Sequence, residues 1–209
     1  MHKFSPKKWS FLVLILSINV GVFAQPPEKV RPKENDVLLE KLFIEANREK
    51  ILGNTDEAIT RYLEVLQKDN DNAAVNYELA RLYKQEDDYD KAIDRAEKAV
   101  DLEEYNLLYN ELYSSLLEKQ GNFKRAAELY ANLTDKYPEK QQLYFDWAYF
   151  LSKSGKSDQA IKVYNNLEKR IGVKETISMR KYKLYMLSGK DKKASQELEM
   201  LVEAYPNEA

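Results

Sequence analysis

The sequence predicts an all-α protein, an α–α superhelical solenoid of about five helix-turn-helix repeats. A six-residue unit, clearest as Gly121-Asn122-Phe123-Lys124-Arg125-Ala126, recurs at Gly53 to Ala58, Asp87 to Ala92, Gly155 to Ala160 and Gly189 to Ala194. Its alanines, Ala58, Ala92, Ala126, Ala160 and Ala194, are 34 residues apart at every step. A fixed period of that length marks stacked helical hairpins, each leaning on the next, instead of a single globule. Gly and Pro number six each and few stretches alternate with period two, so helix dominates.

The N-terminus reads differently from the repeats. Residues 1–24 join a basic head (His2, Lys3, Lys7, Lys8) to an apolar run from Phe11 to Phe23, ending in Val22-Phe23-Ala24. That order describes a cleavable secretory signal. The competing membrane anchor wants about 20 apolar residues, and Ser17, Asn19 and Gly21 interrupt this run. Cleavage removes Lys3, Lys7 and Lys8 and no acid, moving the formal net charge from −2 to −5. The chain has no cysteine, hence no disulfide and no lipid-accepting residue behind the signal. The expected location is periplasmic or secreted, with no stable membrane insertion after cleavage. The lysine-led signal and Ala-Gln junction resemble those of exported Gram-negative proteins, which implies the periplasm. In a eukaryotic secreted protein, Asn132-Leu133-Thr134 would instead be a glycan acceptor.

Residues 25–36 hold Pro26, Pro27 and Pro32 among charges, the composition of an extended, solvated tether. Helical periodicity begins near Val37, with Asn35 or Asp36 available as a cap. The repeat solenoid then covers 37–209, in blocks 39–72, 73–106, 107–140, 141–174 and 175–208. Each block reads as a first helix, a tight turn and a second helix. Position 15 of the blocks holds Gly53, Asp87, Gly121, Gly155 and Gly189, which suit the left-handed residue that closes a helix. Asn54, Asp88 and Asn122 follow as N-caps. Blocks four and five place Lys156 and Lys190 there, so Ser157 and Asp191 are expected to cap instead.

The core follows helical spacing. Leu79, Ala80 and Tyr83 face Ala92, Ala96 and Ala99. Tyr113, Ser114 and Leu117 face Ala126, Tyr130 and Leu133, and Trp147, Ala148 and Leu151 face Ala160, Tyr164 and Leu167. Small residues at positions 8 and 20 let paired helices approach, large residues at 24 fill the neighbouring space, and Pro138 and Pro206 end their second helices.

With these residues in register, the chain resembles the tetratricopeptide repeat family over 39–208. That pattern has Leu at position 7, a small residue at 8, Tyr at 11, Ala at 20, an aromatic at 24, Ala at 27 and Pro at 32. Block two matches at Leu79, Ala80, Tyr83, Ala92 and Ala99; block three at Ala126, Tyr130 and Pro138; block four at Ala148, Ala160 and Tyr164. Block five departs, with Lys181 at position 7 and Tyr182 at position 8. The resemblance implies a right-handed superhelix with a concave wall made by the first helices. It implies a wall lined by Phe43, Asn47 and Lys50, then Tyr77, Arg81 and Lys84, then Glu111, Ser115 and Glu118. Phe145, Tyr149 and Lys153 follow in block four, and Met179, Lys183 and Met186 in block five. The carboxylate clamp by which some family members hold chaperone tails is not matched: of its positions only Asn47 fits, and in the later window Asp146 stands where its central Asn would be.

Composition removes several other functions. The only histidine is His2, inside the expected signal, so the mature chain has neither His nor Cys. That leaves no Ser-His-Asp or Cys-His nucleophile and none of the ligands of ordinary zinc or copper sites. Neither GxGxxG nor GxxxxGK[ST] occurs, so no phosphate cradle is expected. Lys and Arg total 33 against 35 acids, the wrong balance for neutralising nucleic acid. The acidic runs Glu86-Asp87-Asp88 and Glu103-Glu104 fall at turns or helix ends, where solvated charge is the ordinary explanation. No enzyme activity, cofactor or metal is expected.

The leading expectation is a non-enzymatic adaptor holding a peptide or helix of a cell-envelope protein in the groove or at the C-terminal edge. The alternative is a carbohydrate reader using Tyr77, Phe145 and Tyr149 as stacking platforms. Ala194, Leu198, Leu201 and Val202 are expected near an open apolar edge that meets a partner, another copy or a continuation of the chain.

Overall fold

A computed structural model describes residues 34–206. The expected signal at 1–24 and the tether as far as Lys33 lie outside the described residues. Ten helices and no strand are found among the described residues. They form five pairs: α1 (Glu34–Leu52) with α2 (Thr55–Lys68), α3 (Ala73–Gln85) with α4 (Tyr89–Leu102), and α5 (Leu107–Gln120) with α6 (Phe123–Lys136). The series continues with α7 (Gln141–Lys153) and α8 (Ser157–Ile171), then α9 (Glu175–Leu187) and α10 (Asp191–Ala204). Each helix packs chiefly on its neighbours in sequence. This is an all-α helical repeat solenoid, in which nearest-neighbour contacts carry the stability. Helix α1 begins at Glu34 and takes in Asn35 and Asp36, the expected caps; Pro32 is the last helix breaker before it.

The alanine register is the axis of the packing. Ala58, Ala92, Ala126, Ala160 and Ala194 are all between 0% and 1% exposed. Opposite them, Ala46, Ala80, Ser114 and Ala148 are equally buried, so two backbones meet where neither carries bulk. Large apolar side chains close the space around this seam. Leu79, Leu117, Leu133 and Leu167 are almost wholly buried, each contributing about 1.5–3 kcal/mol relative to exposure. Trp147 is only half-buried, against the edge of the core.

The turns close as the sequence requires. Gly121 ends α5 at φ 79°, its N–H reaching the Glu118 carbonyl (2.9 Å) while Asn122 N–H reaches Leu117 (2.8 Å). Asp87 takes the same role at φ 59° without glycine's freedom, and its carboxylate accepts a 2.7 Å hydrogen bond from the Tyr89 hydroxyl. Asp88 and Asn122 cap their helices by accepting from the N–H of Lys91 and Arg125.

Three expected caps differ. The Asn54 carboxamide turns away from its helix and donates to Glu49 Oε2 at 2.8 Å. Ser157 and Asp191 are the first helical residues of α8 and α10, and Lys156 and Lys190 hold the cap positions without a side-chain cap bond. Acids in these first turns, Asp158 and Asp191, favour the positive helix end instead. Lys190 reaches the Asp158 carboxylate in the preceding repeat at 2.5 Å.

Tyrosines tie successive repeats together. The hydroxyls of Tyr137 and Tyr205, both at position 31, donate to the carbonyls of Tyr105 (3.2 Å) and Val173 (2.8 Å), each 32 residues back. Tyr113 donates from α5 to Glu97 on α4 at 2.7 Å, and burial together with that carboxylate pushes its phenol up to about 12.

The fifth repeat keeps its shape by another route. Lys181 is 1% exposed, with Nζ 2.8 Å from Glu168 Oε2 on α8 and 2.7 Å from Glu197 Oε2 on α10. Glu197 Oε2 has this ion-pair contact and no aligned hydrogen bond, and the buried Ser178 hydroxyl has no partner in the structure. Burial alone would lower the lysine pKa, but the two carboxylates outweigh it and hold the ammonium above its ordinary value. A three-helix ionic contact therefore replaces the usual apolar residue at position 7. Tyr182, at position 8, is half-buried.

Candidate functional site

The first helices α1, α3, α5, α7 and α9 stand side by side, joined by side chains that reach from one to the next. Lys50 on α1 pairs with Glu78 on α3 at 3.0 Å, and Arg81 completes that cluster 3.3 Å from the same carboxylate. Tyr77 on α3 packs on Tyr109 of α5, with ring centroids 5.0 Å apart, and the Arg81 guanidinium lies 5.8 Å from the Tyr77 ring. Lys84 donates to Ser115 on α5 at 3.0 Å. Tyr149 on α7 donates to Glu118 on α5, which pushes its phenol up, while the Lys153 ammonium sits 5.6 Å from its ring. The last step is Arg180 on α9, 5.2 Å from the Phe145 ring. The wall is thus a row of inter-repeat contacts whose outer surface is charged.

Sequence-predicted residues divide into two kinds here. Arg81, Lys84, Glu111, Lys153 and Lys183 are exposed, though Arg81, Lys84 and Lys153 also contact Glu78, Ser115 and the Tyr149 ring. Phe43, Asn47, Tyr77, Phe145 and Tyr149 are half-buried and engaged with the fold. Phe43 meets Tyr62 edge-on at 6.0 Å, and Asn47 accepts from the Tyr62 hydroxyl at 3.0 Å while donating to the Phe43 carbonyl at 2.8 Å. Phe145 packs against Tyr164 at 5.8 Å. All four rings of this group pack against a neighbouring aromatic ring, and Asn47 is held by hydrogen bonds.

Two clefts break the wall. One of ≈ 580 Å³ opens between α5, α6 and α7, with Leu107, Leu133 and Leu143 as its apolar side and Glu111 and Asp146 as its acidic side. Burial raises the Asp146 pKa, Gln142 opposes this by donating at 2.9 Å, and Glu111 adds to the rise. The other, ≈ 190 Å³, lies between α7 and α9 and brings Tyr149 and Lys183 together with Arg180 and Leu187. Asp146 and Arg180 were not singled out as wall residues from the sequence. Both occupy position 6, one place beyond a predicted wall position, and only the pairing of adjacent first helices turns them toward it.

Among the described residues, no group of three or more His, Asp or Glu could hold a metal ion. No described helix is long and apolar enough to cross a membrane.

Comparisons with known proteins agree with this architecture. Two tetratricopeptide repeat profiles match, one over residues 51–112 and one over 114–172. Among solved structures, the MamA protein aligns with TM-score 0.60 and 17% identity, over 79% of this chain and 90% of its own. YrrB, described as a tetratricopeptide repeat protein with an unusual peptide-binding site, aligns with TM-score 0.60 and 17% identity, over 84% and 94%. A chain of the Naa15/Naa10 complex bound to HypK-THB aligns with TM-score 0.66 and 20% identity, over 80% of this chain and 26% of its own. At these identities the likeness is one of fold. A comparison with curated proteins finds no match.

Proposed function

The chain belongs to the tetratricopeptide repeat family, and from that premise we propose that it is a non-enzymatic scaffold of the bacterial cell envelope. Proteins of this family are generally interaction scaffolds, and that much follows from membership. The finer reading is that the wall of first helices holds a peptide or helix of an envelope protein. The single observation that carries it is the wall itself: its contacts pre-pay rigidity, and Arg81, Lys84, Lys153 and Lys183 remain exposed on it. A rigid surface loses little entropy on binding. The peptide-binding description of YrrB supports a peptide as one class of partner.

Export rests on residues 1–24 and places the scaffold in the periplasm or outside the cell. Cell fractionation with N-terminal sequencing of the mature protein tests it: a start at Gln25 is expected, and a cytoplasmic protein retaining residues 1–24 would refute it. The carbohydrate alternative requires open aromatic faces, and the packing of Tyr77, Phe145 and Tyr149 counts against it.

A photo-crosslinking residue introduced at Lys84 or Lys153 tests the wall in the producing cell, with Asp94 on α4, 77% exposed, as the control. Crosslinks to a protein from the first two sites and none from Asp94 are expected. Crosslinks from Asp94 alone would move the binding face off the wall.

A further inference from the structure

The two ends of the stack are chemically unlike, and the difference assigns an occupant to one of them. Inside the stack, the outer face of each second helix receives the next first helix. Positions 24, 27 and 28 of that face are buried: Tyr62, Val65 and Leu66 in α2, and Tyr130, Leu133 and Thr134 in α6. On α10 the same positions are Leu198, Leu201 and Val202. The two leucines are half-buried and Val202 is 51% exposed. Ala194, expected at this open edge, is not part of it: position 20 lies inside the α9–α10 seam, and Ala194 is 1% exposed.

The structure shows repeatedly what seats on such a face. Phe150 at position 10 of α7 stacks on Tyr130 with centroids 5.4 Å apart. Tyr113 at position 7 of α5 bonds to Glu97 at position 25 of α4, and Lys181 at position 7 of α9 pairs with Glu168 at position 28 of α8. Two of the seated helices bury large residues at all of positions 3, 7 and 10: Val75, Leu79 and Leu82 in α3, and Tyr109, Tyr113 and Leu116 in α5. At the other end, α1 has Lys41 and Arg48 at positions 3 and 10, with side chains 71% and 68% exposed. Seating α1 of a second copy on α10 would bury both charges against an apolar face.

We propose that the outer face of α10 docks an amphipathic helix of a partner protein bearing large apolar side chains at i, i+4 and i+7. The proposal rests on the scaffold reading and adds a second, end-on contact to it. Continuity with the internal interfaces sets the chemistry of the apolar stripe. Charge sets the rest: Glu199 stands at the position from which Glu97 accepts the Tyr113 hydroxyl, and α10 carries no basic residue beyond Lys193. The docked helix therefore offers a hydroxyl at the tip of its i+4 side chain, as Tyr113 does at position 7.

The test uses the full chain and a hydrocarbon-stapled helical peptide with the sequence of residues 107–120, which carries Tyr109, Tyr113 and Leu116 at i, i+4 and i+7, followed by fluorescence anisotropy. Saturable binding is expected. Val202→Asp should weaken it roughly tenfold or more, Val202→Leu should preserve it, and Arg81→Glu on the wall should leave it unchanged, all with unaltered circular dichroism. No binding, or binding indifferent to Val202→Asp, overturns the proposal. Weakening by Arg81→Glu alone would put the peptide on the wall, overturning the end-on site while leaving the scaffold reading intact. A dimer in sedimentation velocity that Val202→Asp disperses would give the face to a second copy and overturn the partner helix. Failure of the scaffold reading itself is read separately, in the crosslinks from Lys84 and Lys153.

Discussion

Lys181→Met removes one charge from the α8–α9–α10 contact while keeping most of the length of the side chain. It leaves the carboxylates of Glu168 and Glu197, with side chains only 18% and 6% exposed, without the ammonium that stood 2.8 and 2.7 Å away. Breaking a buried pair from one side costs about 3–5 kcal/mol, because the remaining charge stays desolvated. Replacing all members with apolar residues is often neutral or stabilising. The single variant should therefore loosen the fifth repeat by about 3–5 kcal/mol at neutral pH, and the triple variant Lys181→Met, Glu168→Met, Glu197→Met should recover most of that loss. Repeat arrays open locally, so native-state hydrogen exchange of α9 and α10 amides, referenced to α3, is the appropriate assay.

The pH dependence has a definite sign. The folded lysine pKa lies above its unfolded value, so the wild-type contribution is fully present below the unfolded pKa and is lost as pH rises through the folded one. A Lys181→Met protein with wild-type exchange in α9 and α10 at neutral pH would refute this reasoning.

The other predictions concern the seam, a turn and the acidic cleft. Ala126→Leu, at a site 0% exposed, should overpack the α5–α6 seam and cost about 1–3 kcal/mol in urea unfolding; a neutral result would mean the helices are not in contact there. Gly121→Ala forces an L-residue to φ 79° and should lose about 1–2 kcal/mol, measured in the same way, whereas the same change at an exposed helical glycine would be expected to stabilise. Asp146→Asn should raise the melting temperature at neutral pH. Burial raises the Asp146 pKa, so the cost of ionising it is present above the folded pKa and absent below the unfolded one; the gain should disappear in acid, and a gain that persists there would contradict it.

Much of the fold was legible because a repeat states its constraints several times. An isolated alanine says little, but Ala58, Ala92, Ala126, Ala160 and Ala194 fix phase, and phase fixes which neighbours must be buried. Gly121 and Asp87 were legible because left-handed closure tolerates few residue types. Lys156 and Lys190 were misjudged as displaced from the caps because a polar residue one place later looks equally able to cap. Lys181 could be seen only as a departure from pattern: its partners lie 13 and 16 residues away on two other helices, and no spacing rule joins them. The wall shows the same limit. Its charged members were placed by register, but whether Tyr77 or Phe145 presents a face or an edge depends on Tyr109 and Tyr164, which belong to other helices.

The scaffold claim is tested most directly by affinity capture from the native envelope with the wild-type chain and with Arg81→Glu, Lys84→Glu, Lys153→Glu together. All three positions are exposed, so circular dichroism should be unchanged while recovery of the specific partner collapses. Undiminished recovery of the same partner by the folded triple variant would contradict binding on the wall of first helices.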